Sequence, residues 1–95
     1  MAAYLVVDIE VTNPTRFEEY KNIAPPAIAK YGGRFLIRGG AYEALEGNWK
    51  PLRLTIVEFE STEKAKVFYN SPEYQTARKV RAGAANMKML LVQGV

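Results

Sequence analysis

The sequence has neither cysteine nor histidine. Without cysteine there are no disulfides, no thiolate nucleophile and no cysteine-held metal. Without histidine, zinc, non-haem iron and haem lose their commonest protein ligand. The most frequent general base is missing as well. The only serines are Ser61 and Ser71. Both sit where helix caps are expected, so no nucleophile–base pair of the serine hydrolase type can be assembled. No clustered acidic motif supports a carboxylate magnesium site. The single glycine-rich stretch lacks the lysine-serine or lysine-threonine that a P-loop requires. No apolar run approaches the roughly 18 residues of a membrane span. Met1-Ala2-Ala3-Tyr4 runs straight into a strand pattern, with no basic leader. These absences predict a cytoplasmic protein with no cofactor, no metal and no membrane partner.

What is present is ordinary for a globular chain. Ninety-five residues, 48% hydrophobic and 24% charged, make a single domain over residues 1–95, with no room for a second core. The net charge is +3. Its basic residues are scattered among acids, which describes a solvated surface rather than a nucleic-acid footprint. An RNA-binding sheet would need exposed aromatics on its central strands. Residues 52–59 offer only Phe59, so no nucleic-acid partner is expected.

Residues 3–12 alternate, with Leu5, Val7, Ile9 and Val11 on one face and Tyr4, Val6, Asp8 and Glu10 on the other. That is a strand. Asn13-Pro14 opens a helix, whose buried stripe is Phe17, Tyr20, Ala24, Ala27, Ile28 and Tyr31. Pro25-Pro26 falls inside it and predicts a break or kink near Ala24. Gly32 is the expected C-terminal cap.

A second strand is predicted over about 33–45, bent or bulged at Gly39-Gly40. A third follows over 52–60, central and apolar on both faces. Ser61 caps a short helix, and Ser71-Pro72 restarts it towards about Ala85. Residues 87–93 make the last strand. The order strand-helix-strand-strand-helix-strand specifies an α+β, ferredoxin-like βαββαβ domain with an antiparallel sheet and its helices on one face. The other face carries Tyr4 and Val6 and needs a cover. A second subunit packing sheet to sheet supplies it, which predicts a homodimer.

Several charges stand in apolar company. On a wheel of ~100° per residue, Arg81 lies only about 40° from Ala77, inside the stripe Tyr74, Ala77, Val80, Ala84, and Arg78 borders it at about 100°. Glu58 interrupts Leu52, Leu54 and Ile56. Asp8 stands beside Tyr4 and Val6, and Arg38 shares a strand face with Leu36. A charge directed at a core has to be paired or bind something. Two readings follow. One is an internal salt bridge of Glu58 with Arg38 or Arg81. The other is a pocket in which a carboxylate holds an arginine rigid for a ligand acid. Tyr20, Tyr69 and Tyr74 are either core rings or walls of that pocket. Trp49, in a polar loop, is read as a lid or an inter-subunit contact.

The segments Tyr31-Gly32-Gly33-Arg34, Arg38-Gly39-Gly40, Leu45-Glu46-Gly47, Glu58-Phe59 and Ser71-Pro72-Glu73-Tyr74-Gln75, in that order, resemble the bacterial domain-of-unknown-function family 1330. The resemblance covers nearly the whole chain. It implies a dimeric α+β barrel, two ferredoxin-like subunits whose sheets close on each other. The superfamily so implied contains cofactor-free monooxygenases, muconolactone isomerase-like enzymes and haem enzymes; the missing histidine argues against the histidine-ligated haem branch. Fold membership does not transfer function. The family's recurrent residues match Arg38, Glu58, Tyr69, Tyr74 and Arg81, which form the predicted ligand site. Arg38 and Arg81 would contact a small organic or aromatic acid, and Tyr69 and Tyr74 would line its pocket. If there is a reaction, a cofactor-free isomerisation or oxygenation, Glu58 or Asp8 is the proton-transfer candidate. The alternative is a non-catalytic ligand-sensing or assembly domain.

Overall fold

Alternation in the first segment becomes strand β1 (Ala3–Val11), with Leu5, Val7 and Ile9 buried and Tyr4, Val6 and Asp8 half-buried on the opposite face. The computed structural model describes residues 1–95. Helix α1 (Pro14–Lys30) follows, capped by the Asn13 side chain on the Arg16 amide. Then come β2 (Arg34–Arg38), β3 (Leu54–Phe59), α2 (Thr62–Tyr69), α3 (Pro72–Arg81) and β4 (Ala85–Gln93). The sheet order is β2-β3-β1-β4, all neighbours antiparallel. This is the expected ferredoxin-like α+β topology. No helix is long and apolar enough to cross a membrane.

Helix α1 corrects the predicted break. It runs unbroken through Pro25-Pro26. Two interior prolines remove two amide donors, yet Ala24 lies buried before the pair and Ala27 and Ile28 after it. Burial of both halves, with α1 packed chiefly against α3, thus keeps the helix continuous through the pair. Asn22 and Pro26 face outwards, so the disturbed turn is on the wet side. The helix ends where expected. The Gly33 amide donates to the Ile28 carbonyl at 2.8 Å and the Gly32 amide to Ala29 at 3.1 Å. With Gly32 at φ +83°, this is a Schellman ending. Gly33 has a second duty: a Cβ there would lie 2.6 Å from the Phe59 ring and 2.8 Å from Ile28 Cγ2.

The second strand is also corrected. It stops at Arg38, not near residue 45, because Gly39 turns into the left-handed region at φ +67°. The bulge lies earlier than predicted, between Phe35 and Ile37, leaving Leu36 as the extra residue. Residues 40–50 form an exposed arm that returns to β3 through the buried Pro51. Asp8 anchors its end, with Oδ1 accepting from the amides of Leu52 (2.9 Å) and Arg53 (3.1 Å).

Ser61 and Ser71 cap α2 and α3 as expected. Helix α3 ends at Arg81, four residues short of the predicted limit near Ala85, and β4 starts at Ala85, two residues before the predicted Met87. Glu73 ties α3 to the end of α1. It accepts from Lys30 Nζ and from the Tyr31 hydroxyl (2.8 Å). The Lys30 hydrogen bond first, then that of Tyr31, hold its carboxyl down to about 2 from 4.5. A depressed carboxylate stabilises the fold above its unfolded pKa and ceases to do so as pH falls through the folded one. The wild-type melting temperature is therefore expected to fall more between pH 5 and pH 2 than that of Glu73→Gln. Parallel thermal melts of the two proteins check this.

The core lies between the sheet and the helices, around Val57, Phe59, Phe68 and Tyr74. The outer face of the sheet has no helix over it. Ile37, Ile56, Val6 and Leu90 are in register across all four strands of that face. The rows on either side carry charge: Arg34, Glu58, Tyr4 and Val92 on one, Leu54, Asp8 and Lys88 on the other. Leu90 is 65% exposed and Val92 43%.

Candidate ligand site

Between the inner face of the sheet and α1 lies a cavity of about 60 Å³. Its walls come from alternate residues of two strands and one stripe of the helix. Strand β1 contributes Leu5, Val7 and Ile9, β3 contributes Thr55 and Val57, and α1 contributes Phe17, Tyr20, Ala24, Pro25 and Ile28. Phe35, Phe68, Tyr74 and Met89 complete the apolar lining. The charged members are Lys21, Arg38 and Arg53. No carboxylate lines it.

Arg38 reaches this cavity through the bulge. Arg34 pairs with Glu58 on the outer face and Phe35 with Val57 on the inner one. Simple alternation would send residue 38 outwards with Arg34. The extra residue Leu36 shifts the phase, so that Ile37 pairs with Ile56 outside and Arg38 with Thr55 inside. The shared face of Arg38 and Leu36 expected from alternation is thereby lost. The Arg38 guanidinium lies 4.4 Å from the Phe35 ring centre, a cation–π arrangement. Neither Arg38 nor Arg53 is paired with any carboxylate. Lys21 is paired with Glu18 at 2.9 Å.

Tyr74 is buried, and its hydroxyl meets that of Tyr20 at 2.9 Å. Burial, followed by the neighbouring Tyr74, pushes the Tyr20 phenol well above its usual range. It therefore serves as a neutral hydrogen-bond partner, not as a base. Arg81 stands behind this pair. Its guanidinium carbon is 6.0 Å from the Tyr20 ring centre, and its buried Nε has no hydrogen-bond partner. Tyr69 packs on Tyr74 with ring centres 5.6 Å apart, and the Arg78 guanidinium lies over the Tyr69 ring at 5.1 Å. It borders a separate depression with Leu5, Met89 and Leu91.

Of the five residues predicted for one site, Arg38 and Tyr74 thus line the cavity. Arg81 approaches through Tyr20, and Tyr69 through Tyr74. Glu58 lies on the other face of the sheet, where its Oε1 accepts from Arg34 Nε at 2.7 Å. Neither predicted partner, Arg38 or Arg81, is paired with it, and Asp8 is spent on the arm. The two carboxylates considered for proton transfer therefore face away from the cavity. Trp49 is 67% exposed on the arm.

Sequence reasoning missed Lys21, Arg53 and Thr55. Each had a signal. Lys21 lies about 40° from Phe17 on a helical wheel, and Arg53, Thr55 and Val57 share one face by period two.

A four-stranded antiparallel sheet with helices on one face and a cavity between them defines a ferredoxin-like α+β protein. The sequence matches the family described as domain of unknown function DUF1330 over residues 2–95, and the chain belongs to that family. No curated protein sequence matches it. Among solved structures it is similar to a protein of unknown function from Rhodopseudomonas palustris, with TM-score 0.77 and 16% identity over 99% of this chain and 82% of that one. It is also similar to SnoaB, a cofactor-independent oxygenase from Streptomyces nogalater, with TM-score 0.71 and 13% identity over 99% and 93%. A dimeric ferredoxin-like protein of unknown function from Jannaschia sp. CCS1 gives TM-score 0.71 and 12% identity over 99% and 100%. Likeness at these identities concerns the fold.

Proposed function

We propose that the protein is a homodimer, closed sheet to sheet as a dimeric α+β barrel, and that each subunit binds a small organic or aromatic acid in the cavity under α1. The observation that carries the reading is an apolar cavity with two arginines that no carboxylate neutralises. Such a site favours an apolar body with a negative end. Arg38 is the first anion contact, and Tyr74 and Tyr20 form the wall. Arg81 and Tyr69 act by holding those rings, and Glu58 belongs to the dimer face. The dimeric Jannaschia protein of like fold supports the assembly.

Cofactor-free oxygenation or isomerisation is the reaction class to test first, given the fold shared with a cofactor-independent oxygenase. A second reading is binding without turnover, as in a ligand sensor. It is favoured by the lack of any carboxylate at the cavity and by the pairing of its one lysine, Lys21, with Glu18.

Thermal shift of wild type and Arg38→Ala against a panel of carboxylic acids and their amides tests the binding. Acids are expected to raise the wild-type melting temperature and amides to leave it unchanged, and Arg38→Ala is expected to lose most of the shift. No stabilisation by any acid, or equal stabilisation of both proteins, overturns the site. Product analysis under oxygen with the best ligand separates the two readings.

A further inference from the structure

Thr55 is the uncharged polar side chain of the cavity wall whose hydrogen-bonding capacity is unused. It is 6% exposed, lines the cavity, and its Oγ1 has no hydrogen-bond partner. The Tyr20 and Tyr74 hydroxyls satisfy each other. A buried hydroxyl without a partner is costly, and it recovers that cost when a ligand oxygen meets it. Thr55 lies directly across the β2–β3 ladder from Arg38 and two residues along the same face from Arg53.

Arg53 owes its position to Gly39. The place where a Cβ on Gly39 would stand is 3.1 Å from Arg53 Nε and 3.2 Å from its Cγ. The arginine stem therefore lies across the bare glycine backbone at the root of the arm. Its amide is held by Asp8 at 3.1 Å, and its carbonyl accepts from the Ile9 amide at 3.1 Å. Both ends of its peptide unit are fixed, and the guanidinium is free of carboxylates.

We infer that the ligand is an oxygen-substituted acid, a hydroxy- or oxo-carboxylate, whose carboxylate is held by Arg38 and Arg53 and whose second oxygen meets Thr55. This rests on the acid-binding reading of the same cavity and narrows it. The hydroxyl of Thr55 can donate to a keto oxygen or accept from a hydroxyl. The size of the cavity bounds the ligand body. At about 60 Å³ it is smaller than the ~150 Å³ apolar cavity that encloses benzene. The ligand body is therefore short, or a ring seated only in part, with its carboxylate outside at the arginines. Arg53 and Thr55 are specificity-determining contacts, and Gly39 is a positioning residue that acts through Arg53.

Isothermal titration with two matched pairs tests this: 4-oxopentanoate against pentanoate, and 3-hydroxybenzoate against benzoate. In at least one pair the oxygenated acid is expected to bind wild type about fivefold tighter than its parent. Thr55→Val is expected to abolish that preference without weakening the parent acid, and Thr55→Ser to retain it. Arg53→Gln is expected to weaken both acids of the pair about tenfold, and Gly39→Ala to weaken both in the same direction. Equal affinities within both pairs overturn the inference and leave the acid-binding reading standing. So does a preference that survives in Thr55→Val. Failure of all four acids to bind wild type overturns both.

Discussion

Phe68→Ala is expected to lower the unfolding free energy by about 3–5 kcal/mol. Phe68 is 1% exposed and is the meeting point of three elements. Its ring centre lies 4.6 Å from that of Tyr74 in α3, 5.2 Å from Phe59 in β3 and 6.4 Å from Tyr31 at the end of α1. Aromatic pairs in such tilted and edge-on geometries add about 0.5–1.5 kcal/mol beyond the area they bury. The surroundings are poorly able to collapse. Ala65, Ala77 and Ala84 are already small and fully buried, so few side chains can swing into the space. Against a total of about 5–15 kcal/mol for a domain of this kind, the loss is large. Urea denaturation followed by circular dichroism measures it as a lower midpoint at unchanged slope. Tyr69→Ala serves as comparison, since Tyr69 is only half-buried, and its loss is expected to be smaller. A cost below about 1 kcal/mol for Phe68→Ala would mean that the aromatic cluster is not what joins the helices to the sheet.

The second large effect concerns the uncovered sheet face. Val6 and Leu90 are directly paired across β1 and β4 and belong to the one row that is apolar on every strand. In a two-fold dimer each substitution appears twice, so Val6→Glu with Leu90→Glu brings four carboxylates into the proposed interface. Like charges facing each other there cost several kcal/mol, and the dissociation constant is expected to rise about a thousandfold or more. Sedimentation velocity at micromolar concentration is expected to give a dimer for wild type and a monomer for the double variant. The melting temperature should also lose its dependence on protein concentration. Val67→Glu is the control. Val67 is an exposed apolar residue of α2, 58% accessible on the helical side, and changing it is expected to leave the assembly intact. A monomeric wild type would sink the sheet-to-sheet assembly outright.

Both effects draw on features that differ in how far they could be read in advance. The strand alternation of residues 3–12, the caps at Asn13, Ser61 and Ser71 and the glycine ending at Gly32 are local. Each depends on a side chain and the few residues around it, and each stands where expected. Pro25-Pro26 shows the limit of local reasoning. The prolines carry the propensity for a break, but burial of Ala24, Ala27 and Ile28 in the core, with α1 packed on α3, overrides it.

The candidate site shows the same limit more sharply. Arg38 is a cavity residue only because Leu36 is squeezed out of the ladder. A bulge of one residue reverses which face every later side chain takes, and nothing within β2 announces it. Glu58 followed simple alternation and went to the outer face, where Arg34 waits directly opposite. The charge on each residue was plain from the sequence. Its partner was not, because pairing across strands is set by register between segments far apart in the chain. Lys21, Arg53 and Thr55 fall between these cases: periodicity places them on the inner faces, but only the packed helix and sheet show that a cavity remains there.

The sequence alone therefore determined the order of elements, the caps, the sheet face left in need of a cover and the exclusion of thiol and imidazole chemistry. Those follow from residue type and spacing. The tertiary structure decided that α1 continues unbroken through its prolines, that Arg38 and Arg53 lie beside one cavity, and that Thr55 faces it without a partner. Those depend on register, on a bulge and on the space left between packed layers, which are properties of contacts and not of neighbours in the chain.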